Sequence, residues 1–241
     1  MSFRRLISVG ALAATAAVLP ALPGQAAPSI GSCRNSDYPT NSSTLSLSVS
    51  PRTITVGRSV STYGELRKNS CPVRGATIRI EMRSVVDGAG FGRWILVKTA
   101  TTDRNGLFLT STAPRTDELL RARFRGAGTT FKPATSSSVL VKVRTAITEA
   151  ATKRPACKIT LTGSTKPAKI SAKISIQKRG ARGHFHGWTK FAGGTTNSRG
   201  RYSITKQAVC GRTYNLSALI GKDATNEAGR SKTIFGIKAT R

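Results

Sequence analysis

Along most of the chain, apolar positions recur at every second residue. Ala76, Ile78, Ile80 and Met82 alternate with Thr77, Arg79, Glu81 and Arg83. Ala172, Ile174 and Ile176 alternate with Lys173, Ser175 and Gln177. Successive side chains of a strand point to opposite faces, so each segment predicts one buried and one wet face. The same pattern, with frequent Thr, Val and Ile, predicts strands over 44–50, 59–64, 94–102, 107–112, 120–126 and 138–144. It predicts a second set over 158–163, 188–196, 201–206, 214–220 and 232–239. Residues 116–125 are the best helical candidate, but they align with the strand at 214–220, which argues against a helix. Residues 145–156 lack alternation and read as a linker or as the first strand of the second set.

The two sets of strands are copies. Trp94 through Gly106 superimposes on Trp188 through Gly200 with a constant shift of 94 positions, and 122–126 falls on 217–221. A repeat of this length is the size of a small self-sufficient domain, too long for a solenoid unit. Asp103-Arg104-Asn105-Gly106 and Asn197-Ser198-Arg199-Gly200 are turn sequences between strands, with glycine supplying a positive φ. The expected fold class is therefore all-β, with two tandem β-sandwich domains at 44–147 and 148–241 and an irregular, Ser/Asn-rich lead-in at 27–43.

The amino-terminal segment reads as an address. Arg4 and Arg5 precede an apolar, Ala-rich run from Leu6 to Leu22, and Gly24-Gln25-Ala26 offers small residues at a cleavage site. Residues 1–26 are read as a secretory signal peptide, with cleavage after Ala27 and lipoprotein processing at Cys33 as weaker alternatives. Pro20 and Pro23 interrupt the run, against a permanent membrane helix. Export makes Cys33, Cys71, Cys157 and Cys210 disulfide candidates, and four cysteines allow three pairings. Zinc is the competing use, but no Cys-x-x-Cys occurs.

The run 49–60 (Val-Ser-Pro-Arg-Thr-Ile-Thr-Val-Gly-Arg-Ser-Val), the stretches 74–78 and 101–108 and the tail 124–136 follow one another within about 44–144. Through them the first repeat resembles a bacterial immunoglobulin-like domain of exported proteins from high-GC Gram-positive bacteria. The second repeat lacks the Pro-x-x-x-x-Val-Gly entry and joins the family through its match to the first. The resemblance implies two tandem immunoglobulin-like sandwiches, and such domains serve many roles. The repeat also constrains the disulfides, and pairing within domains gives Cys33–Cys71 and Cys157–Cys210. On this reading Cys157 opens the first strand of the second unit and its bridge joins two sheets. Cys33–Cys71 would tie the lead-in to the loop before Ala76.

Charge alters the functional picture most. The chain carries 39 Lys+Arg against 10 Asp+Glu, a formal +29. Residues 27–147 hold 18 basic and 7 acidic residues, and 148–241 hold 19 and 3. Such a balance points to an anionic partner. Arg121, Arg123 and Arg125 alternate along one predicted strand, while Lys169, Lys173, Lys178, Arg179 and Arg182 gather in the second repeat. These eight are the candidate polyanion-binding residues. Few acids argue against a multi-carboxylate metal site. His184 and His186 share one side of an extended segment but lack a third ligand nearby. No Gly-x-Ser-x-Gly and no phosphate-binding loop occurs. Trp94 and Trp188 are read as sandwich core, with ligand stacking as the alternative. No catalytic residue, cofactor or metal is expected. The expected function is a secreted, non-enzymatic extracellular or cell-surface module, wall-associated in one form. It would bind anionic cell-envelope polymers through basic faces and would not span the membrane. The alternative is an accessory or inhibitor protein that binds a protein partner through a sandwich edge or loops. Nucleic acid is disfavoured, since no recognition helix or RNA-stacking signature occurs.

Overall fold

The computed structural model describes residues 28–30, 42–86, 90–179 and 187–241. The leader, Cys33, Arg182, His184 and His186 lie outside the described residues. Among the described residues the regular elements are strands, and no helix is long and apolar enough to cross a membrane.

The first set comprises β1 (Ser29–Ile30), β2 (Ser43–Leu45), β3 (Ser48–Ser50), β4 (Thr53–Thr55), β5 (Val60–Lys68), β6 (Cys71–Arg74) and β7 (Thr77–Val86). It continues with β8 (Gly90–Phe91), β9 (Ile95–Thr101), β10 (Leu107–Thr112), β11 (Glu118–Phe124), β12 (Ala134–Thr135) and β13 (Val139–Arg144). The second set comprises β14 (Ala146–Arg154), β15 (Lys158–Lys166), β16 (Lys173–Arg179), β17 (Trp188–Thr195), β18 (Arg201–Gln207), β19 (Thr213–Ile220), β20 (Gly229–Arg230) and β21 (Ile234–Lys238).

In the first set, β3, β5 and β10 form one sheet, extended by β2, β6 and β1. The facing sheet runs β4–β13–β11–β7–β9. The β4–β13 pair is parallel and the other ladders are antiparallel. The chain crosses between the sheets at β3–β4, β4–β5, β6–β7, β9–β10 and β10–β11, as in an immunoglobulin-like sandwich. The second set repeats the order, with β14–β15–β18 facing β17–β16–β19 and with β20 and β21 on β19. The fold is all-β, two tandem immunoglobulin-like sandwiches. The two sheet pairs part at Thr145, so β14 belongs wholly to the second pair. Residues 145–156 lack clear alternation in the sequence. Their strand form rests on the nine-residue ladder that β14 makes with β15.

Each sandwich buries its alternating apolar faces. Leu66, Val73 and Phe108 from one sheet meet Ile78, Ile80, Ala122 and Phe124 from the other, and Val60 meets Leu120, Val141 and Val143. In the second sandwich Ile159, Leu161 and Tyr202 meet Ile174, Ile176, Leu216 and Ala218. Burying each such aliphatic side chain is worth about 1.5–3 kcal/mol. The segment 116–125, the best helical candidate, is β11 with every second side chain in this core. The repeated turns are built alike. Asp103 Oδ1 accepts the N–H groups of Asn105 and Leu107, and Asn197 Oδ1 accepts those of Arg199 and Arg201. Gly106 and Gly200 follow at φ 75° and 69°, a region that favours glycine.

Two expectations change here. The lead-in is not wholly irregular, because β1 pairs antiparallel with β6, Ser29 opposite Arg74. Cys157 does not open the first strand of its unit. It sits in the turn between β14 and β15, and its disulfide partner Cys210 sits between β18 and β19. The bridge therefore clasps two connections at one end of the sandwich. There the chain end is also gathered: Cys157 N–H donates to Thr240 O and Gly211 N–H to Ala239 O. Cys71 is buried in β6.

The two sandwiches meet at the loop 221–228, between β19 and β20. Backbone bonds cross the junction: Asp117 N–H to Thr225 O at 2.7 Å, Glu227 N–H to Val143 O at 2.9 Å and Thr145 N–H to Glu227 O at 3.1 Å. Asn226 is fully buried, and its amide nitrogen donates to Arg115 O and Val143 O, both at 3.1 Å. A Cβ on Gly229 would stand 2.0 Å from Thr145 O, so only glycine allows this approach.

Two outcomes follow from this architecture. Replacing Cys157 and Cys210 with serine frees a loop spanning 53 positions. By chain entropy this lowers stability by about 4 kcal/mol, read as a fall in the calorimetric melting temperature. Asn226→Ala removes the donor to Arg115 O, leaves Val143 O with the Glu227 N–H, and costs about 2 kcal/mol. It also broadens the distribution of angles between the sandwiches, measured as an increased maximum dimension in X-ray solution scattering.

Candidate functional site

The outward face of each larger sheet carries basic residues around one tryptophan. In the first sandwich, alternation along β7 buries Ile78 and Ile80 and turns Thr77, Arg79, Glu81 and Arg83 outward. Arg121 on β11 stands directly opposite Glu81, and Arg123 opposite Arg79. Arg121 donates through Nε and Nη2 to Glu81 Oε2, at 2.9 and 2.8 Å. Arg79 and Arg123 approach Oε1 at 3.8 and 3.9 Å. One carboxylate thus serves three guanidinium groups, which explains why this outward-facing Glu81 is only 5% exposed. Against the Trp94 ring lie Arg121 at 4.1 Å and Arg83 at 4.5 Å, and Arg83 also covers Phe91 at 4.2 Å.

Neither tryptophan belongs to a core, contrary to the sequence expectation. The reason is a bulge at the same place in both sandwiches. The β7–β9 register shifts between Ile80 and Glu81, and the β16–β17 register between Ile176 and Gln177. In β17 the extra residue is Phe191. Ala192 pairs with inward Ile176, whereas Lys190 and Trp188 pair with outward Gln177 and Arg179. Trp188 and Ala192 have the same parity, yet the bulge sends them to opposite faces.

In the second sandwich Gln177 occupies the place of Glu81. Arg230 Nη2 donates to Gln177 Oε1 at 2.7 Å, and its guanidinium lies 4.8 Å from the Trp188 ring centre. Lys173, Arg179, Lys190 and Arg230 are exposed. None of the strands β16, β17, β19, β20 and β21 contains an Asp or Glu. The acidic Glu149 comes from β14. Burial pushes its carboxyl up, and Oε2 is engaged by Ala218 N–H and the Ser231 hydroxyl.

The structure separates the candidate residues. Arg121 and Arg123 share a face as expected, but both turn to Glu81, and Arg125 is exposed beyond β11. Lys173 and Arg179 face outward on β16. Lys178, expected beside Lys173, has the parity of buried Ile174 and Ile176 and so belongs to the other side. Lys169 is not a surface charge: its side chain is 12% exposed and its Nζ contacts Asp223 Oδ2 at 2.6 Å, Asn226 Oδ1 at 2.7 Å and Thr225 Oγ1 at 3.1 Å. Burial works to raise the Asp223 carboxyl. Lys169 and the Thr225 and Asn226 N–H groups outweigh it and hold the carboxyl below its ordinary value. Arg182 lies outside the described residues, as does the His184–His186 pair. Lys190, Arg230 and Gln177 were not singled out from sequence. The signal that finds this region is the run without a single Asp or Glu between Glu149 and Asp223. Among the described residues no group of three His, Cys, Asp or Glu side chains is placed to hold a metal ion.

No protein-family model matches the chain, and no curated protein matches it. Among solved structures it is similar to the Yersinia pseudotuberculosis adhesin InvE, with TM-score 0.34 and 12% identity over 80% of this chain. The chain spans 58% of that adhesin's length. It is also similar to the D0-D1 domain of intimin, with TM-score 0.29 and 11% identity over 81% of this chain and 98% of that one. Red sea bream transglutaminase gives TM-score 0.34 and 12% identity over 80% of this chain and 31% of that one.

The two faces differ in how much structure depends on charge. Glu81→Ala leaves three guanidinium groups facing one another and lowers unfolding stability by about 2 kcal/mol after allowing for solvent screening. Gln177→Ala costs about 1 kcal/mol or less. Urea titration at two salt concentrations checks this, with the Glu81→Ala deficit largest at low salt.

Proposed function

We propose that this chain is an exported, non-enzymatic protein of the cell surface, with two tandem domains, that associates with anionic envelope polymers through its basic outward faces. The observation that carries the reading is the acid-free sheet of the second sandwich, with Lys173, Arg179, Lys190 and Arg230 exposed on it. A repeating polyanion meets such a face without a repelling carboxylate and releases counterions as it binds. The leader pattern at 1–26 and the Cys157–Cys210 disulfide support an oxidising, extracellular setting. A bacterial surface role also fits the resemblance of the first repeat to domains of exported proteins.

A second reading has its own observation. β9 and β10 are both edge strands, each paired on one side only. Between them runs a seam of about 360 Å³ lined by Met82, Val97, Lys98 and Thr112, and Ile95 on β9 and Leu107 and Leu109 on β10 are exposed. An extended protein segment could add to such an edge.

Retention of the purified protein on isolated bacterial cell wall separates the two. Anionic binding predicts strong retention at low salt that falls at least tenfold between 50 and 500 mM salt, conditions chosen on the order of the screening range. Arg179→Glu with Lys190→Glu should abolish most of it. Retention indifferent to salt and to these reversals removes the electrostatic reading and favours a protein partner.

A further inference from the structure

Resting on that reading, we propose that the outward face of the second sandwich is a site for an acidic polysaccharide. Sugar rings would lie on Trp188 and Phe235, and the acid groups on Arg179, Lys190 and Arg230.

The placement follows from the ladder. Trp188 is directly opposite Arg179, and Lys190 directly opposite Gln177. Lys178 faces Leu216 across the β16–β19 ladder, so Arg179 and Asn215 come next in register and share the outward face. Gly236 N–H on β21 donates to Asn215 Oδ1 at 3.1 Å, and the neighbouring Phe235 is 68% exposed. One row therefore crosses the sheet as Trp188, Arg179, Asn215, Phe235. With about 4.8 Å between strands, the two rings stand about 14 Å apart with a cation between them. Arg230 reaches over the same face from β20 to Gln177 and Trp188.

The chemistry of this row selects among polyanions. A pyranose ring has a face of C–H groups that packs on an aromatic ring, while its acid group projects sideways toward a guanidinium or ammonium. A polyphosphate chain would use the cations and leave both aromatic rings without a role. Single-stranded nucleic acid stacks successive bases on closely spaced rings, and these two rings are three strands apart. Gln177 adds to the selection. It holds Arg230 over Trp188 as Glu81 holds Arg121 over Trp94, but without cancelling the charge. The repeat thus carries one structural face and one face whose cations remain available.

The test uses the full-length protein and three probes: polygalacturonate, inorganic polyphosphate and single-stranded DNA, titrated calorimetrically at one salt concentration. Trp188→Ala and Phe235→Ala each weaken polygalacturonate binding about tenfold and leave polyphosphate binding within about twofold. Gln177→Glu, which copies the native arrangement at Glu81, weakens polygalacturonate by a similar factor, and Glu81→Gln does not. Both aromatic residues are exposed or half-buried outside the core, and an unchanged melting temperature for Gln177→Glu controls for folding. The inference is overturned if the aromatic variants bind polygalacturonate as wild type does, if they lose polyphosphate equally, or if DNA binds more tightly than the glycan. Any of these leaves salt-dependent wall retention standing. Loss of that retention removes the broader reading instead.

Discussion

One extra residue in the strand beside β7, and again in the strand beside β16, decides which side chains solvent meets. Each larger sheet has inward positions that must be apolar and outward positions free to be basic. The bulge reverses that assignment partway along β9 and β17. Before it, Trp188 and Lys190 look outward; after it, Ala192 looks inward. The core stays closed, and a large aromatic ring stands among cations. Without the bulge, the parity that buries Ala192 would drive Trp188 into a core already filled by Ile174, Ile176 and Leu216.

An arginine packs against the half-buried ring in both sandwiches. The guanidinium is planar and weakly hydrated, so it stacks on the indole while keeping its donors for an acceptor. In the first sandwich that acceptor is Glu81, and three arginines converge on it. In the second it is Gln177, and the charge of Arg230 is left uncompensated by this contact. The same device therefore ties three arginines to one carboxylate in the first copy and leaves the cations of the second without a carboxylate partner on their strands.

The second sandwich is also held in a defined place. The loop 221–228 inserts buried Asn226 between Arg115 and Val143, and Lys169 pins the loop from below through Asp223, Thr225 and Asn226. Backbone bonds flank this amide on both sides. Such a joint is directional because several donors and acceptors must align at once.

Several features were legible in the residues alone. Alternation at 76–82 and 172–176 specified strands, and a constant shift through Trp94 and Gly106 specified two copies of one unit. The turns at 103–106 and 197–200 followed from residues whose side chains bond their own backbone. These are local or periodic properties, and a strand or turn expresses them without help from distant residues. The fate of each charge was not legible. Lys169, Lys178, Arg121 and Arg179 look alike in sequence, yet one pins a loop, one has inward parity, one is tied to a carboxylate forty positions away and one is exposed. β14 has no clear apolar alternation in its sequence, yet it pairs with β15 over nine residues and turns Ile147 and Ala151 toward the core. The sequence determined the strands, the repeat and the excess of positive charge. The tertiary structure decided which charges and rings reach solvent, because pairing partners, a bulge and a buried acid come from parts of the chain that periodicity does not connect.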